Sequence, residues 1–117
     1  MSLRKYIYFE YAIGFIICLL LYIHLEYSVL LFILLLLVPD ITMLGYLINT
    51  KIGSIFYNLG HSLIFPFILF IVAFLINSSS LLMIVIIWLA HIYMDRSMGY
   101  GLKYNDAFKN THLQKID

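Results

Sequence analysis

Five ionisable side chains interrupt stretches of the sequence that are otherwise apolar: Glu10, Asp40, His61, His91 and Asp95. Carboxylates and imidazoles are the groups that bind divalent metal ions and that exchange protons in hydrolytic enzymes. His91 and Asp95 are four residues apart, so on a helix they project from the same face. The residue types and this spacing therefore predict metal-dependent or acid–base chemistry.

The composition decides where such chemistry would take place. Of the 117 residues, 64% are hydrophobic and only 11% are charged, against about 25% charged in an average soluble domain. A chain this short cannot bury so many apolar side chains in water. We therefore predict a membrane protein with lipids as partners. Assembly into a homo-oligomer is an open alternative to a monomer. A net charge of +1 argues against a nucleic-acid partner, and one cysteine excludes a cysteine-based metal site.

The hydropathy pattern predicts an all-α polytopic membrane protein, an antiparallel bundle of four transmembrane helices in a single domain (residues 1–117). Windows of about 20 residues place the helices at 6–24, 28–48, 55–76 and 81–100, followed by a polar tail at 103–117. The short turns make successive helices antiparallel neighbours. Pro39 and Pro66 fall inside two spans, where proline kinks a helix.

The positive charges predict the orientation, because short cytoplasmic loops collect Lys and Arg. In the four-span arrangement all seven cations fall on one side: Arg4, Lys5, Lys51, Arg96, Lys103, Lys109 and Lys115. Both termini are therefore expected in the cytoplasm, and the chain is expected to be a multi-pass protein of the inner (cytoplasmic) cell membrane.

The depth of the ionisable residues suggests that they meet. At about 1.5 Å per helical residue, Glu10 lies about 7 Å from the cytoplasmic end of its helix, and Asp40, His61 and His91 lie about 12 Å in. Asp95 is one turn nearer the cytoplasm than His91. An ionisable side chain near the bilayer centre costs about 2.5–3.5 kcal/mol, and a bound dication would remove most of that cost.

We therefore predict a site for zinc, manganese or iron, held by Asp40, His61, His91 and Asp95. In this hypothesis the protein is a metal-dependent hydrolase acting on a lipid or lipid-phosphate ester at the cytoplasmic leaflet.

Further residues are assigned roles around that site. Glu10 is a candidate for a further ligand or the general base, and Asp95 for a catalytic carboxylate as well as a ligand. Arg96 and Lys103 are candidates for binding a substrate phosphate. His112, in the polar tail, could fold back and cap the site.

A non-catalytic alternative uses the same residues. The polar layer could be a hydrogen-bonded network that only stabilises helix packing, or it could conduct protons or cations.

Several segments also carry a family resemblance. They run from Val38 to Tyr46, from Tyr57 to His61, from Trp88 to Arg96, from Gly99 to Tyr104 and from Thr111 to Leu113. With them, in order along nearly the whole chain, the sequence resembles the small bacterial membrane proteins of domain-of-unknown-function family 4260. The resemblance implies a membrane protein and assigns no activity.

A looser resemblance connects the chain with the LexA-regulated membrane-bound metal-dependent hydrolases. These proteins carry a Pro-Asp pair on one helix, a His on another, and His-x-x-x-Asp before a glycine. The matching residues here are Pro39-Asp40, His61, and His91 with Asp95. The resemblance implies metal binding and hydrolysis, although this chain has no counterpart of the additional Asp-x-Asp-His ligands.

Overall fold

The computed structural model describes residues 2–103 and 111–113, and this part of the chain is helical, without a β-strand. Four stretches are long and apolar enough to cross a membrane: Leu3–His24, Val29–Leu47, Thr50–Leu75 and Ser79–Ser97. The predicted all-α fold with four spans is confirmed. The cytoplasmic position of the termini and the single domain stay predictions, and most of the polar tail (104–110 and 114–117) lies outside the described residues.

The second and third spans are each built from two helices. The elements are α1 (Leu3–His24), α2 (Val29–Leu35), a 3₁₀-helix (Val38–Leu47), α3 (Thr50–His61), α4 (Ile64–Leu75) and α5 (Ser79–Ser97). The two spans that were predicted to be kinked by proline are therefore interrupted, at residues 36–37 and 62–63.

Proline explains where both breaks fall. A proline ring in an α-helix clashes with the carbonyl four residues earlier and has no N–H to donate. Four residues before Pro39 is Leu35, the last residue of α2, and four residues before Pro66 is Ser62, which directly follows α3. Each proline then lies in the first turn of the next helix, where a missing N–H costs little. The expected kinks are thus complete breaks.

Side-chain caps explain where the later helices begin. Asn49 Oδ1 accepts a hydrogen bond from the backbone N–H of Ile52 at 2.7 Å, so α3 begins at Thr50, five residues before the predicted start of the third span. Ser78 Oγ accepts one from the N–H of Leu81 at 3.2 Å and starts α5. Such caps satisfy backbone donors that a helix start leaves unpaired.

Helix α5 lies at the centre of the fold. Its Val85, Ile86 and Ala90 are at most 1% exposed, while α1 and α4 both pack against it. The first and last spans are therefore direct neighbours. The other major contact joins the 3₁₀-helix of the second span to α3 of the third span. These two helices therefore pack against each other as a pair.

Glycines allow the 3₁₀-helix and α3 to approach closely. A methyl group added to Gly53 would lie 2.3 Å from the Tyr46 ring, and one added to Gly60 would lie 2.5 Å from the Thr42 side chain. Small residues at helix interfaces permit such backbone approach in membranes. The contact fixes the position of Asp40, on the 3₁₀-helix, relative to His61, at the end of α3.

We expect Gly53→Ala to destabilise the protein. Ala is better than Gly in a helix by about 1 kcal/mol, so helix propensity alone would stabilise the variant. The new methyl group must instead displace the base of the Tyr46 ring, which costs about 1–3 kcal/mol. Thermal unfolding of purified protein measures the net sign. Leu44→Ala, at a side chain that is 61% exposed on the same 3₁₀-helix, is the control, and a stabilised Gly53→Ala would contradict the close packing.

Candidate metal centre

Two histidines and two aspartates converge at the centre of the molecule. Asp40 comes from the first turn of the 3₁₀-helix, His61 is the last residue of α3, and His91 and Asp95 lie one turn apart on α5. Each offers one nitrogen or oxygen atom, and these four atoms lie within 4.8 Å of one another. We refer to these four residues as the His–Asp cluster.

Five of the six distances within the His–Asp cluster are nearly equal. The Nε2 atoms of His61 and His91 are 3.0 Å apart. His61 Nε2 lies 3.1 Å from Asp40 Oδ1 and 3.3 Å from Asp95 Oδ2, and the His91 Nε2 distances to the same oxygens are 3.1 and 3.2 Å. Ligands at about 2.0–2.1 Å from a tetrahedral metal are about 3.3–3.4 Å apart. Five edges of the cluster are therefore close to those of a tetrahedral metal site.

The backbone of α3 fixes the protonation of His61. Its Nδ1 lies 2.9 Å from the carbonyl oxygen of Tyr57, and a carbonyl can only accept, so Nδ1 carries the proton. In the neutral imidazole Nε2 then has a lone pair, which points into the cluster. The Tyr57 ring stacks on the imidazole at 3.8 Å and nearly parallel. A second hydrogen bond of this kind is what commonly orients a metal-binding histidine.

His91 is enclosed on all sides. The residue has no exposed surface, and no partner of standard hydrogen-bond geometry reaches its Nδ1. The backbone carbonyl of Leu36, in the break between α2 and the 3₁₀-helix, interacts with the same imidazole. Its Nε2 faces His61 and both carboxylates. This nitrogen is therefore the atom through which His91 takes part in the cluster.

The electrostatics of the His–Asp cluster favour a cation. Two carboxylate oxygens and two imidazole nitrogens face one another at hydrogen-bond distances, and His61, when neutral and protonated at Nδ1, brings no proton into this space. Buried carboxylates without a countercharge are costly. A dication among the four atoms would pair with both carboxylates and accept both nitrogen lone pairs.

Side chains of α5 satisfy the exposed carbonyls at the end of α3. The indole N–H of Trp88 donates to the Gly60 carbonyl at 2.6 Å. The Arg96 guanidinium donates to the His61 carbonyl at 3.3 Å and to the Tyr11 hydroxyl at 2.9 Å. These carbonyls lack helical partners because α3 stops at His61. Trp88 and Arg96 therefore hold the His61 backbone against the helix that carries His91.

The cluster opens on one side into a pocket. This polar pocket, of about 280 Å³, is lined by Asp40, Met43, Tyr57, Asp95, Tyr100 and Lys103. The Asp40 side chain is 38% exposed and that of Asp95 is 12% exposed, against 3% and 0% for His61 and His91. A small molecule could thus reach the cluster from the carboxylate side.

The residues that directly follow α5, up to Lys103, lie beside this pocket. The Asn58 amide bonds both backbone groups of Lys103, donating to its carbonyl at 2.8 Å and accepting from its N–H at 2.7 Å. The Lys103 ammonium lies 4.6 Å from the centre of the Tyr57 ring, and burial lowers the pKa of Lys103. A charged side chain with little exposed surface is thereby fixed next to the two carboxylates.

His112 is hydrogen-bonded to the segment that follows α5. Its imidazole Nδ1 accepts a hydrogen bond from the backbone N–H of Leu102 at 2.8 Å, and the backbone N–H of His112 donates to the Leu102 carbonyl at 3.0 Å. Burial, followed by the nearby Arg96 charge, lowers the pKa of His112. The imidazole is therefore bonded to the backbone of this segment and is not a member of the His–Asp cluster, and its role as a cap stays a prediction.

The structure separates the other site residues predicted from the sequence. Glu10 lies at the surface of α1 and is not in the cluster, so the idea that every span sends an ionisable group into one layer is wrong. The neighbouring Tyr11 instead faces α5, where its hydroxyl accepts a hydrogen bond from Arg96. Arg96 is buried and bonded within the fold, whereas Lys103 lines the polar pocket.

Three supporting residues were not predicted from the sequence as parts of the site. Tyr57 is one helical turn before His61, and Trp88 is one turn before His91, positions at which a helix places side chains next to each other. Tyr11 gives no comparable signal, because its importance depends on how α1 packs against α5.

Comparisons with known proteins agree with the family resemblance. A family model described as "Domain of unknown function (DUF4260)" matches residues 4–116. The comparisons with curated proteins and with solved structures found no match.

Proposed function

The chain belongs to the DUF4260 family, and we propose that it is a membrane-embedded, metal-dependent hydrolase that cleaves a lipid or lipid-phosphate ester. The observation that carries this proposal is the His–Asp cluster, in which five of six ligand-atom distances are close to those of a tetrahedral site and one side opens to the polar pocket. A purely structural metal site is normally closed, whereas a catalytic one keeps a side open for water and substrate. The looser resemblance to membrane-bound metal-dependent hydrolases points the same way.

The metal would be zinc, manganese or iron, because these ions accept the nitrogen and oxygen ligands that the cluster offers. Asp40, His61, His91 and Asp95 would hold it. When bound, such an ion polarises the ester and makes water a better nucleophile.

The carboxylates are the groups of this chain that would move the proton. In ester hydrolysis the water oxygen bonds to the phosphorus or acyl carbon, the bond to the alcohol oxygen breaks, and the water proton ends on the alcohol. Asp40 has the more exposed carboxylate, so its second oxygen is the better placed to accept that proton and return it. This replaces Glu10 as the candidate base, because Glu10 is not in the cluster.

Lys103 would bind the negative end of the substrate. Its side chain lines the same pocket as Asp40 and Asp95, and an ammonium held in place by packing pairs well with phosphate oxygens. Arg96 is not assigned this role, because its guanidinium bonds Tyr11 and His61. The positive charges place this pocket on the cytoplasmic side in the proposed orientation.

An activity assay tests the proposal. Metal-loaded protein in detergent is incubated with lipid phosphates and lipid carboxylic esters, and released phosphate or fatty acid is measured. We expect turnover, and we expect Asp40→Asn to lower it by about a hundredfold or more, as for removal of a general base. Glu26→Gln, at a surface carboxylate in the turn after α1, is the control and should leave turnover unchanged.

Two outcomes would contradict the proposal. One is that metal-loaded protein cleaves none of these esters. The other is that proteoliposomes show a proton or cation flux that Asp95→Asn abolishes, because that result would identify the non-catalytic alternative.

A further inference from the structure

A second cavity lies beside the His–Asp cluster and is almost entirely apolar. This apolar crevice, of about 400 Å³, lies between the second span and α5, and its lining includes Val38, Pro39, Ile84, Ile87 and Trp88. One polar side chain, Thr42, also lines it, but its hydroxyl donates to the Pro39 carbonyl at 2.8 Å. The crevice therefore offers little to a polar ligand and suits a hydrocarbon chain.

The apolar crevice, the His–Asp cluster and the polar pocket follow one another along α5. Ile84 and Trp88 line the crevice, His91 belongs to the cluster, and Asp95 belongs to the cluster and lines the pocket. Steps of four, three and four residues keep these side chains on one helix face. Trp88 and Asp95 are about 10 Å apart along the helix axis, so both cavities are within reach of one amphiphilic molecule.

The second span shows the same order. Pro39 lines the apolar crevice and the next residue, Asp40, lines the polar pocket. The carboxylate that completes the cluster thus stands where the apolar surface ends and the charged surface begins. A bound amphiphile would have the junction between its chain and its head group at this point.

The charges select the head group. Lys103 supplies a buried cation in the polar pocket, and a dication in the cluster would neutralise the two carboxylates that otherwise repel an anion. Both favour a phosphate over a neutral or cationic head group.

We infer that the apolar crevice binds the hydrocarbon chain of a single-chain lipid phosphate, whose phosphate lies in the polar pocket beside Lys103. This inference rests on the proposed function, since it takes the His–Asp cluster as the centre at which the ester reacts. It goes further by assigning the substrate class and the surface that recognises its chain.

Trp88 makes the inference measurable, because it is the one tryptophan in the sequence. Bromine quenches indole fluorescence at close range, so we would titrate purified protein in maltoside detergent with dodecyl phosphate brominated at its terminal carbon. We expect saturable quenching that unlabelled dodecyl phosphate reverses. Dodecanol should compete about tenfold less well, and inorganic phosphate should not compete at matched concentration, because it lacks the chain.

Matched variants locate the bound chain. Val38→Phe narrows the apolar crevice and should abolish saturable quenching. Ile68→Phe adds the same side chain to a separate apolar groove that also touches Trp88, and it should leave the quenching unchanged. Lys103→Gln should reduce the preference for dodecyl phosphate over dodecanol, and on chelator-treated protein it should remove it.

The outcomes separate this inference from the proposed hydrolase. Quenching that rises without saturation, equally in wild type and Val38→Phe, would overturn the chain site even if esters are cleaved. Saturable, Val38-dependent quenching without any ester cleavage would support the chain site and overturn the hydrolase. The titration measures binding and does not require catalysis. It is therefore repeated on chelator-treated protein, where the apolar crevice should still bind the hydrocarbon chain.

Discussion

Purified protein should contain about one equivalent of a divalent transition metal, and His61→Ala or His91→Ala should lose it. Each imidazole supplies one of four converging ligand atoms, and each ring is too buried for water to replace it easily. Loss of a group that only orients a ligand typically weakens metal binding ten- to a hundredfold. Loss of the ligand itself should weaken binding by more than about a hundredfold, and elemental analysis after gel filtration measures the metal content.

His24→Ala is the matched control for this experiment. His24 is the last residue of α1 and is exposed, so its removal should leave the metal content unchanged. Folded wild-type protein that contains no transition metal, even after incubation with zinc, manganese or iron salts, would contradict the metal site.

Removing the metal should lower the thermal stability of the wild-type protein substantially. A ligand present at a thousand times its Kd stabilises the folded state by about 4 kcal/mol. Chelation would also leave the Asp95 carboxylate near Asp40 and two imidazoles, with only Lys103 among the described residues of the adjoining pocket to offset the negative charge. We expect a lower apparent Tm after chelation, measured by thermal unfolding in detergent.

The variants decide whether a metal or a hydrogen-bonded network causes this stability. His91→Ala and Asp95→Asn should each unfold at nearly the same temperature with and without chelator, because they no longer bind the metal tightly. Leu44→Ala, away from the cluster, should keep the full difference. If chelation leaves the wild-type Tm unchanged while Asp95→Asn lowers it, the cluster is a packing network and the metal hypothesis is wrong.

The spans and the breaks within them could largely be predicted from the sequence. Hydropathy locates the four spans because lipid contact requires apolar side chains over a fixed length. Pro39 and Pro66 indicate distortion, and the rule that proline clashes four residues upstream gives the break positions. Whether a proline bends a helix or ends it depends on the groups that satisfy the freed carbonyls, here Trp88 and Arg96, and these partners come from another span.

The position of each residue along its span correctly predicted that the His–Asp cluster forms. The prediction for Glu10 was wrong because position along the span does not say which way a side chain points. Counting residues places Asp40, His61 and His91 at one level, and the structure brings them together. Glu10 was grouped with them by depth alone. Adjacent residues on a helix differ by about 100° in direction, and the packing of α1 on α5 turns Tyr11 inward and leaves Glu10 at the surface. Hydropathy carries little information about that rotation when nearly every face is apolar.

The packing of α1 against α5 has a consequence for the order of assembly. Of the four described spans, the first packs mainly against the fourth, while the 3₁₀-helix and α3 can pair as soon as both have been made. Asp40 and His61 would therefore come together early and form half of the His–Asp cluster. The other half, His91 and Asp95, would be added only with α5. Insertion of α5 would complete the His–Asp cluster, so under the metal hypothesis ion binding would follow the insertion of this span.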